Sequence, residues 1–388
     1  MMRPRRIVSV VGTRPEAIKI APIALEARRR PGLCHRLVAT GQHPALFDDA
    51  LAGFGIAADD RLHLAPPDAP RADRLAALEA GIAAHLHRLA PDLVLVQGDT
   101  DSARAAARAA VSLGLPIGHV EAGLRSGRPD RPWPEEPNRR EIDGCAALLF
   151  APTPGNAANL ADVAGIVAVT GNTGIDALRI ARPALPVPAP PIPGLRQLLV
   201  TCHRRENQGE RLHGICAALR RIADRSDVRL TLPLHPNPAV GPVIAARLGD
   251  HPRIRLVAPL DHRAMLAAIR DADLILSDSG GIQEEAPAFG TPLLVLRAET
   301  ERPEAVAAGH CRLIGNRPDR IVAEAGRLLD DPAAYAAMAR PGLPFGAGDA
   351  AIKILDAIEL WFGAAPGKHR QRRKPAMSPG ESRPPAGA

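Results

Sequence analysis

Three carboxylates, Asp99, Glu121 and Glu135, sit at or just beyond the ends of apolar runs, in "GDTDS" (98–102), "HVEAG" (119–123) and "WPEEPNRREID" (133–143). Carboxylates gathered in one cleft repel one another. That raises the proton affinity of at least one of them and suits general acid–base work. A structural role competes at each position. Asp and Thr accept readily from the free N–H groups at a helix start, which is an alternative for Asp99 and the preferred reading for Asp101. Glu135 and Glu136 also fit the first turn of a helix.

A second cluster follows the apolar run "LILS", in "DSGGIQEEA" (278–286). Ser279, Gly280 and Gly281 open a helix, where unpaired backbone N–H groups favour an anion and the glycines permit close approach. Glu285, one turn later, suits the hydroxyls of a ribose. Glu284 lies about 100° around the helix from it and is expected to face elsewhere, in a structural role. Arg302 and His203 are candidates to neutralise a diphosphate. The pattern describes a ligand with one anionic and one hydroxyl-rich end.

Other chemistries lack their motifs. "GTRPEAIK" (12–19) has no second P-loop glycine, and no G-x-G-x-x-G follows the first apolar run. His85 and His87 have no Glu or Cys partner for a metal, and no G-x-S-x-G elbow occurs. Neither a metal nor a nicotinamide cofactor is expected.

The elements that must position these residues alternate between β-type and helical patterns. "RIVSVVG" (6–12), "RLVATG" (36–41), "DLVLVQGD" (92–99), "LPIGHVEAG" (115–123), "ALLFAPT" (147–153) and "GIVAVTGN" (165–172) form one series. "QLLVTCH" (197–203), "RLTLPLHP" (229–236), "IRLVAPL" (254–260), "DLILSDS" (273–279) and "TPLLVL" (291–296) form another. This is the α/β signature of two doubly wound parallel sheets. "RPALPVPAPPIPGL" (182–195), with six prolines, reads as a stiff linker between them. The expected organisation is a Rossmann-like domain at 1–181, the linker, a second Rossmann-like domain at 196–349, and a helix at 350–363. That helix, with Ile352, Leu355, Ile358, Leu360 and Trp361 on a broad apolar face, is expected to pack across the hinge. Residues 364–388 are expected to be a disordered basic tail.

At 388 residues the chain is too long for one core, which agrees with two domains facing across a cleft. The net charge of +7 is concentrated at the ends: the segment from Pro366 is strongly basic, as are Arg3, Arg5 and Arg6, and the body is close to neutral. A basic tail can touch acidic surfaces, but with only 2% aromatic residues single-strand stacking is not expected and nucleic acid is not the predicted partner. The five scattered cysteines show no C-x-x-C spacing and read as reduced thiols, mostly buried. No run of about 18 apolar residues is present, and the short apolar stretch after the basic start does not make a signal segment, so a cytoplasmic location is expected.

Taken together, "VVGTRPEAIKIAPI", "VQGDT", "GHVEAGLRSG", "PWPEEPNRR", "TGNTGIDAL", "VTCHRREN", "LSDSGGIQEEAPAFGTPLLVLR" and "TERPEAVAAG" closely resemble the bacterial non-hydrolysing UDP-N-acetylglucosamine 2-epimerases. The motifs occur in the family's order, from Ile7 to Phe362. The resemblance implies a GT-B fold, a homodimer, no cofactor, and interconversion of UDP-GlcNAc and UDP-ManNAc through anti elimination of UDP to 2-acetamidoglucal and re-addition. It implies an acid–base set of Asp99, Glu121 and Glu135, with His203 catalytic or on the phosphate side. It also implies a UDP set of Arg14, Lys19, Ser279, Gly280, Gly281, Glu285 and Arg302. Gln42, Arg71, Arg204 and His235 fall where bacterial members hold an activating second substrate. This chain departs from the family pattern at Pro44 and Ala45, where polar residues are usual, at Cys202, where a glycine is usual, and at Met265, near where an aromatic often meets uracil. A hydrolysing epimerase, an epimerase of a modified UDP-sugar, and a non-catalytic UDP-sugar-binding protein are the alternatives.

Overall fold

The computed structural model describes residues 3–41, 44–62, 70–129, 132–188 and 190–364. Among these residues the chain forms two parallel sheets. The first comprises β1 (Arg5–Val11), β2 (Leu33–Ala39), β3 (Asp60–Arg61), β4 (Leu93–Gln97), β5 (Ile117–Val120), β6 (Leu148–Ala151) and β7 (Ile166–Val169), in the order β3-β2-β1-β4-β5-β6-β7. The second comprises β8 (Arg196–Thr201), β9 (Val228–Pro233), β10 (Ile254–Val257), β11 (Leu274–Ser277), β12 (Leu293–Val295) and β13 (Cys311–Leu313), in the order β10-β9-β8-β11-β12-β13. The central strands are nearly continuous apolar runs because helices cover both faces; every residue of β4 and β11 is buried.

Each sheet reverses its winding once, and strand ends diverge there to leave a crevice. In the first sheet the reversal lies between β1 and β4, with Ser9 opposite Leu95, which brings "GTRPE" beside "GDTDS". In the second it lies between β8 and β11, with Thr201 opposite Ser277, which brings "CHRREN" beside "DSGG". β3 and β13 show no apolar run in the sequence: β3 has only two residues, and β13 is "CRL", with a charged residue at its centre.

Between Ala184 and Arg196 the described residues form neither helix nor strand. The chain returns to the first half at Phe345, whose carbonyl accepts from Asn172 N–H at 2.8 Å. Gly171 and Gly346 meet there at φ +94° and +109°. A Cβ on Gly346 would lie 3.0 Å from the Gly171 Cα, so both positions need glycine.

The last helix, Ala350–Ala364, then buries Ala351, Ile354, Leu355 and Ile358 among Ile7, Val11 and Ile20 of the first half. The buried face is narrower than the sequence suggested: Ile352 and Leu360 are exposed, because only positions spaced i, i+3, i+4, i+7 share a stripe. No helix among the described residues is long and apolar enough to cross a membrane.

Asp176, in the helix Thr173–Ala181, caps the start of Ala350–Ala364 from a distant part of the chain. Its buried carboxylate accepts the N–H groups of Ala350 (3.2 Å) and Ala351 (2.9 Å). Asp176→Ala should therefore lower the unfolding free energy by about 1–3 kcal/mol in a urea melt. A loss below about 0.5 kcal/mol, as at an ordinary surface site, would show that docking of this helix does not depend on the cap.

Candidate active site

Glu121 follows β5 at φ +70°, a region that non-glycine residues rarely occupy and that tends to mark functional sites. The N–H groups of Glu121 and Ala122 both donate to Phe150 O at 3.1 Å, which fixes the turn. The buried carboxylate accepts from Gln97 Nε2 (2.7 Å) and Lys19 Nζ through Oε2, and from Arg302 Nη2 (3.2 Å) through Oε1. Lys19 lies on the helix Arg14–Ala27, whereas Arg302 belongs to the second half.

Both cations have a second anionic partner in Glu284. Lys19 Nζ lies 2.9 Å from Glu284 Oε2, and Arg302 Nε donates to Oε1 at 2.6 Å. Glu284 is 2% exposed, so the expectation that it has a role away from the site is corrected: it faces the first half across the cleft. The signal lay in the spacing. Glu284 is four residues from Gly280 and so shares its side of the helix, and it is over Gly280 that the Arg302 guanidinium lies. A Cβ there would meet Arg302 Nη1 at 2.7 Å. Gly280 is thus needed for Arg302, while Gly281 is the open position, its nearest atom being Ser279 Oγ at 3.9 Å.

Burial raises the Glu121 pKa, aided by the Glu284 charge and opposed by Lys19 and Arg302. Burial also works to raise that of Glu284, but Lys19 and Arg302 outweigh it and hold this carboxylate below its ordinary value. Lys19 stays charged because its two carboxylates overcome the effect of burial. The structure thus gives Lys19 and Arg302 carboxylate partners, in addition to any part they take in holding UDP.

Asp99 joins this network through Arg139, whose Nε (3.1 Å) and Nη2 donate to it. Arg139 also binds Glu136 at 2.9 Å and lies 3.8 Å from Glu301, which in turn lies 3.6 Å from Arg302. Charges alternate from Asp99 to Glu121, crossing between the halves at Arg139–Glu301. The cap of the helix Asp101–Ser112 is Thr100, which accepts from Ala103 N–H at 3.0 Å. Capping therefore does not explain Asp99, and the capping reading of Asp101 is corrected too: its carboxylate binds Arg71, with Nε at 2.9 Å, and Asn138 at 3.2 Å.

Glu135 begins the helix Glu135–Cys145, and its buried Oε2 has no hydrogen-bond partner among the described residues. It faces a cavity of about 480 Å³ shared with Trp133, His203, Arg204, Arg205 and Asn237. His203 Nδ1 lies 3.1 Å from Asp278, and its ring stacks on His235 with centroids 5.2 Å apart. Asp278, which the sequence reading did not single out, also accepts from the backbone N–H of His203 (3.0 Å) and Arg204 (2.9 Å) and from Asn207 (2.9 Å). Burial works against the charge of Asp278, but His203 and these donors hold its pKa well below the ordinary carboxylate range.

The remaining expected residues fall into two groups. Glu285 lies 3.4 Å from His262 Nε2. Burial depresses the Arg14 pKa, with Asp261, Glu285 and Asp49 partly offsetting it. Of the four activator candidates, Gln42 lies outside the described residues. Arg71 sits 4.8 Å over the Trp133 ring, Arg204 has a buried Nε with no partner among the described residues, and His235 backs His203. Cys202 is buried, and burial with Asp278 beside it pushes its thiol pKa far up, so it is no nucleophile.

A family model described as UDP-N-acetylglucosamine 2-epimerase matches residues 25–359. The UDP-N-acetylglucosamine 2-epimerase of Salmonella typhimurium is 40% identical over 371 residues, covering 92% of this chain and 99% of that protein. The enzyme of the same name from Escherichia coli K12 is 40% identical over 369 residues, covering 91% and 98%. The crystal structure of UDP-GlcNAc 2-epimerase from Neisseria meningitidis bound to UDP-GlcNAc superposes with a TM-score of 0.87 at 35% identity, covering 92% of this chain and all of that one. With two doubly wound sheets facing across a charged cleft in the GT-B arrangement, the chain belongs to the UDP-N-acetylglucosamine 2-epimerase family.

Proposed function

We propose that this protein interconverts UDP-GlcNAc and UDP-ManNAc at C2 of the sugar. The C2 proton is not α to a carbonyl, so direct deprotonation and return is not feasible. In the proposed route a carboxylate takes the C2 proton, the electron pair forms a C1–C2 double bond, and the C1–O bond breaks with UDP leaving anti. The 2-acetamidoglucal then receives a proton at C2 on the other face as a UDP oxygen re-forms the bond at C1. Base and acid must lie on opposite sugar faces, which calls for at least two of Asp99, Glu121 and Glu135.

The observation that carries this reading is Glu121: a buried carboxylate at positive φ, in the cleft, touching a cation of the half that would hold the nucleotide. Arg302 supplies positive charge, and His203 a ring nitrogen, where the diphosphate would gain charge. Ser279 and Gly281 offer the helix start to the phosphates while Gly280 seats Arg302, Glu285 and Arg14 hold the nucleoside end, and Lys19 fixes Glu121. The unpartnered Oε2 of Glu135 is suited to a group that only substrate brings. Arg204 lines the same cavity, Arg71 and His235 stand behind its lining residues Trp133 and His203, and the three form the proposed activator side. We place the enzyme in the cytoplasm as a homodimer, supplying ManNAc-type sugars for surface polysaccharide.

Turnover of UDP-GlcNAc in deuterium oxide should put deuterium at C2 of both recovered UDP-sugars; free ManNAc with UDP would indicate hydrolysis instead, and no exchange would refute the reaction for this substrate. Glu121→Gln should slow that exchange by roughly 10²–10⁴-fold while UDP still binds, and undiminished exchange would remove Glu121 from the mechanism. The two glycines should separate. Gly281→Ala should keep the melting temperature but weaken UDP binding at least ~10-fold, about 1.4 kcal/mol. Gly280→Ala should displace Arg302 and lower kcat. Equal, small effects at both positions would contradict the assignment.

A further inference from the structure

Glu284 touches neither Glu121 nor the helix start where phosphates would lie, yet it is among the most completely buried charges in the cleft. It accepts from Lys19 and Arg302, the two cations that also donate to Glu121. The four groups form a closed ring of alternating charge. Lys19 and Glu121 come from the first half, Glu284 and Arg302 from the second, so each half holds one neutral pair and the ring exists only while the halves are closed on each other.

Two features show that the ring is built for this contact. Gly174, in the first turn of the helix Thr173–Ala181, leaves space for it: a Cβ there would lie 3.3 Å from Glu284 Oε2 and 3.5 Å from Lys19 Cε. The chain has four lysines against 45 arginines, and one of the four is Lys19. A compact ammonium fits between two carboxylates where a planar guanidinium is already supplied by Arg302.

The charged groups facing Glu121 are Lys19, Arg302 and Glu284; those facing Glu284 are Lys19, Arg302 and Glu121. Beyond Arg302 stands Glu301, itself tied to Arg297 at 2.9 Å. With both cations directed at Glu121 alone, that carboxylate would be a weak base, because proton uptake would break two charge-assisted hydrogen bonds. A second carboxylate sharing the same cations offsets them.

We propose that Glu284 is a positioning residue for the reaction: by sharing Lys19 and Arg302 with Glu121, it keeps Glu121 basic enough to exchange the C2 proton in the closed cleft. This rests on the epimerase reading above. Glu284 makes no contact with the sugar in this account; its effect passes entirely through the two shared cations.

The test compares pH profiles of C2 exchange in Glu284→Gln, Arg302→Gln and the wild type. Removing the Glu284 charge should move the limb belonging to Glu121 to lower pH by about one to two units and lower kcat, with UDP affinity kept within about threefold, less than the ~1.4 kcal/mol of a tenfold change. Removing the Arg302 charge should move that limb to higher pH. Glu284→Asp, which keeps the charge, should restore most of the Glu284→Gln shift. A carboxyl ¹³C titration, with the Glu121 signal assigned by its loss in Glu121→Gln, reads the same shifts without turnover. Absence of exchange in the wild type would overturn the reaction, whereas exchange with an unmoved Glu121 titration in Glu284→Gln would overturn the role of Glu284. If Glu284→Gln does not fold, Arg302→Gln and Glu284→Asp decide: an unmoved limb in Arg302→Gln, or one that falls, overturns the proposal. Loss of UDP affinity with kcat unchanged would make Glu284 a nucleotide ligand instead.

Discussion

The structure turns on one constraint: two carboxylates and two cations, all buried, must neutralise one another across the boundary between two half-molecules. Charges removed from water are costly unless each finds partners with good geometry. Lys19 and Arg302 satisfy Glu121 and Glu284 together; separating the halves leaves each carboxylate with half its cationic partners. This ties the closed arrangement to the electrostatics of the residue proposed to handle the proton, so closure and acid–base readiness come from the same contacts.

The rest of the architecture serves that arrangement. The winding reversals of the two sheets open crevices at β1/β4 and β8/β11; the loops that follow carry Asp99, His203 and Asp278, and the helix after β1 carries Lys19. The turn after β5 sets Glu121 at positive φ. A side chain at Gly280 would displace Arg302 from the ring, and one at Gly174 would crowd Glu284 Oε2. A second line of ion pairs, Asp99–Arg139–Glu301–Arg302, extends the same alternation toward the other proposed acid–base carboxylate. The C-terminal helix, its first turn held by Asp176, returns the chain to the first half and packs into its core.

Much of this was legible in the sequence. Buried parallel strands announce themselves as apolar runs, so eleven of the thirteen strands in the described residues coincide with runs read from the sequence; β3 ("DR") and β13 ("CRL") are short and carry charged residues, so they make no apolar run. Asp99, Glu121 and Glu135 could be found because each stands where a run ends. Glu284 could not be assigned in the same way. Helical spacing says which side of the helix it occupies, but only the docking of a distant half says what covers that side. The same holds for Arg139 and Glu301, whose partners lie far away in the chain and follow no period. Gly280 was read as room for a ligand, and the room is taken by Arg302. Thr100 took the cap expected of Asp101 because it stands one residue earlier, at the true helix start.

Whether this charged cleft breaks and re-forms the bond between C1 and the diphosphate is the claim on which the account stands. UDP-GlcNAc carrying oxygen-18 only in the bridge between C1 and the β-phosphorus tests it directly, by ³¹P NMR of substrate recovered after partial turnover. Reversible elimination frees the β-phosphate to rotate, so the label should scramble between bridging and non-bridging positions as epimerisation proceeds. Full retention of the label in the bridge while C2 epimerises would mean that no freely rotating UDP is released and returned, and would contradict the account.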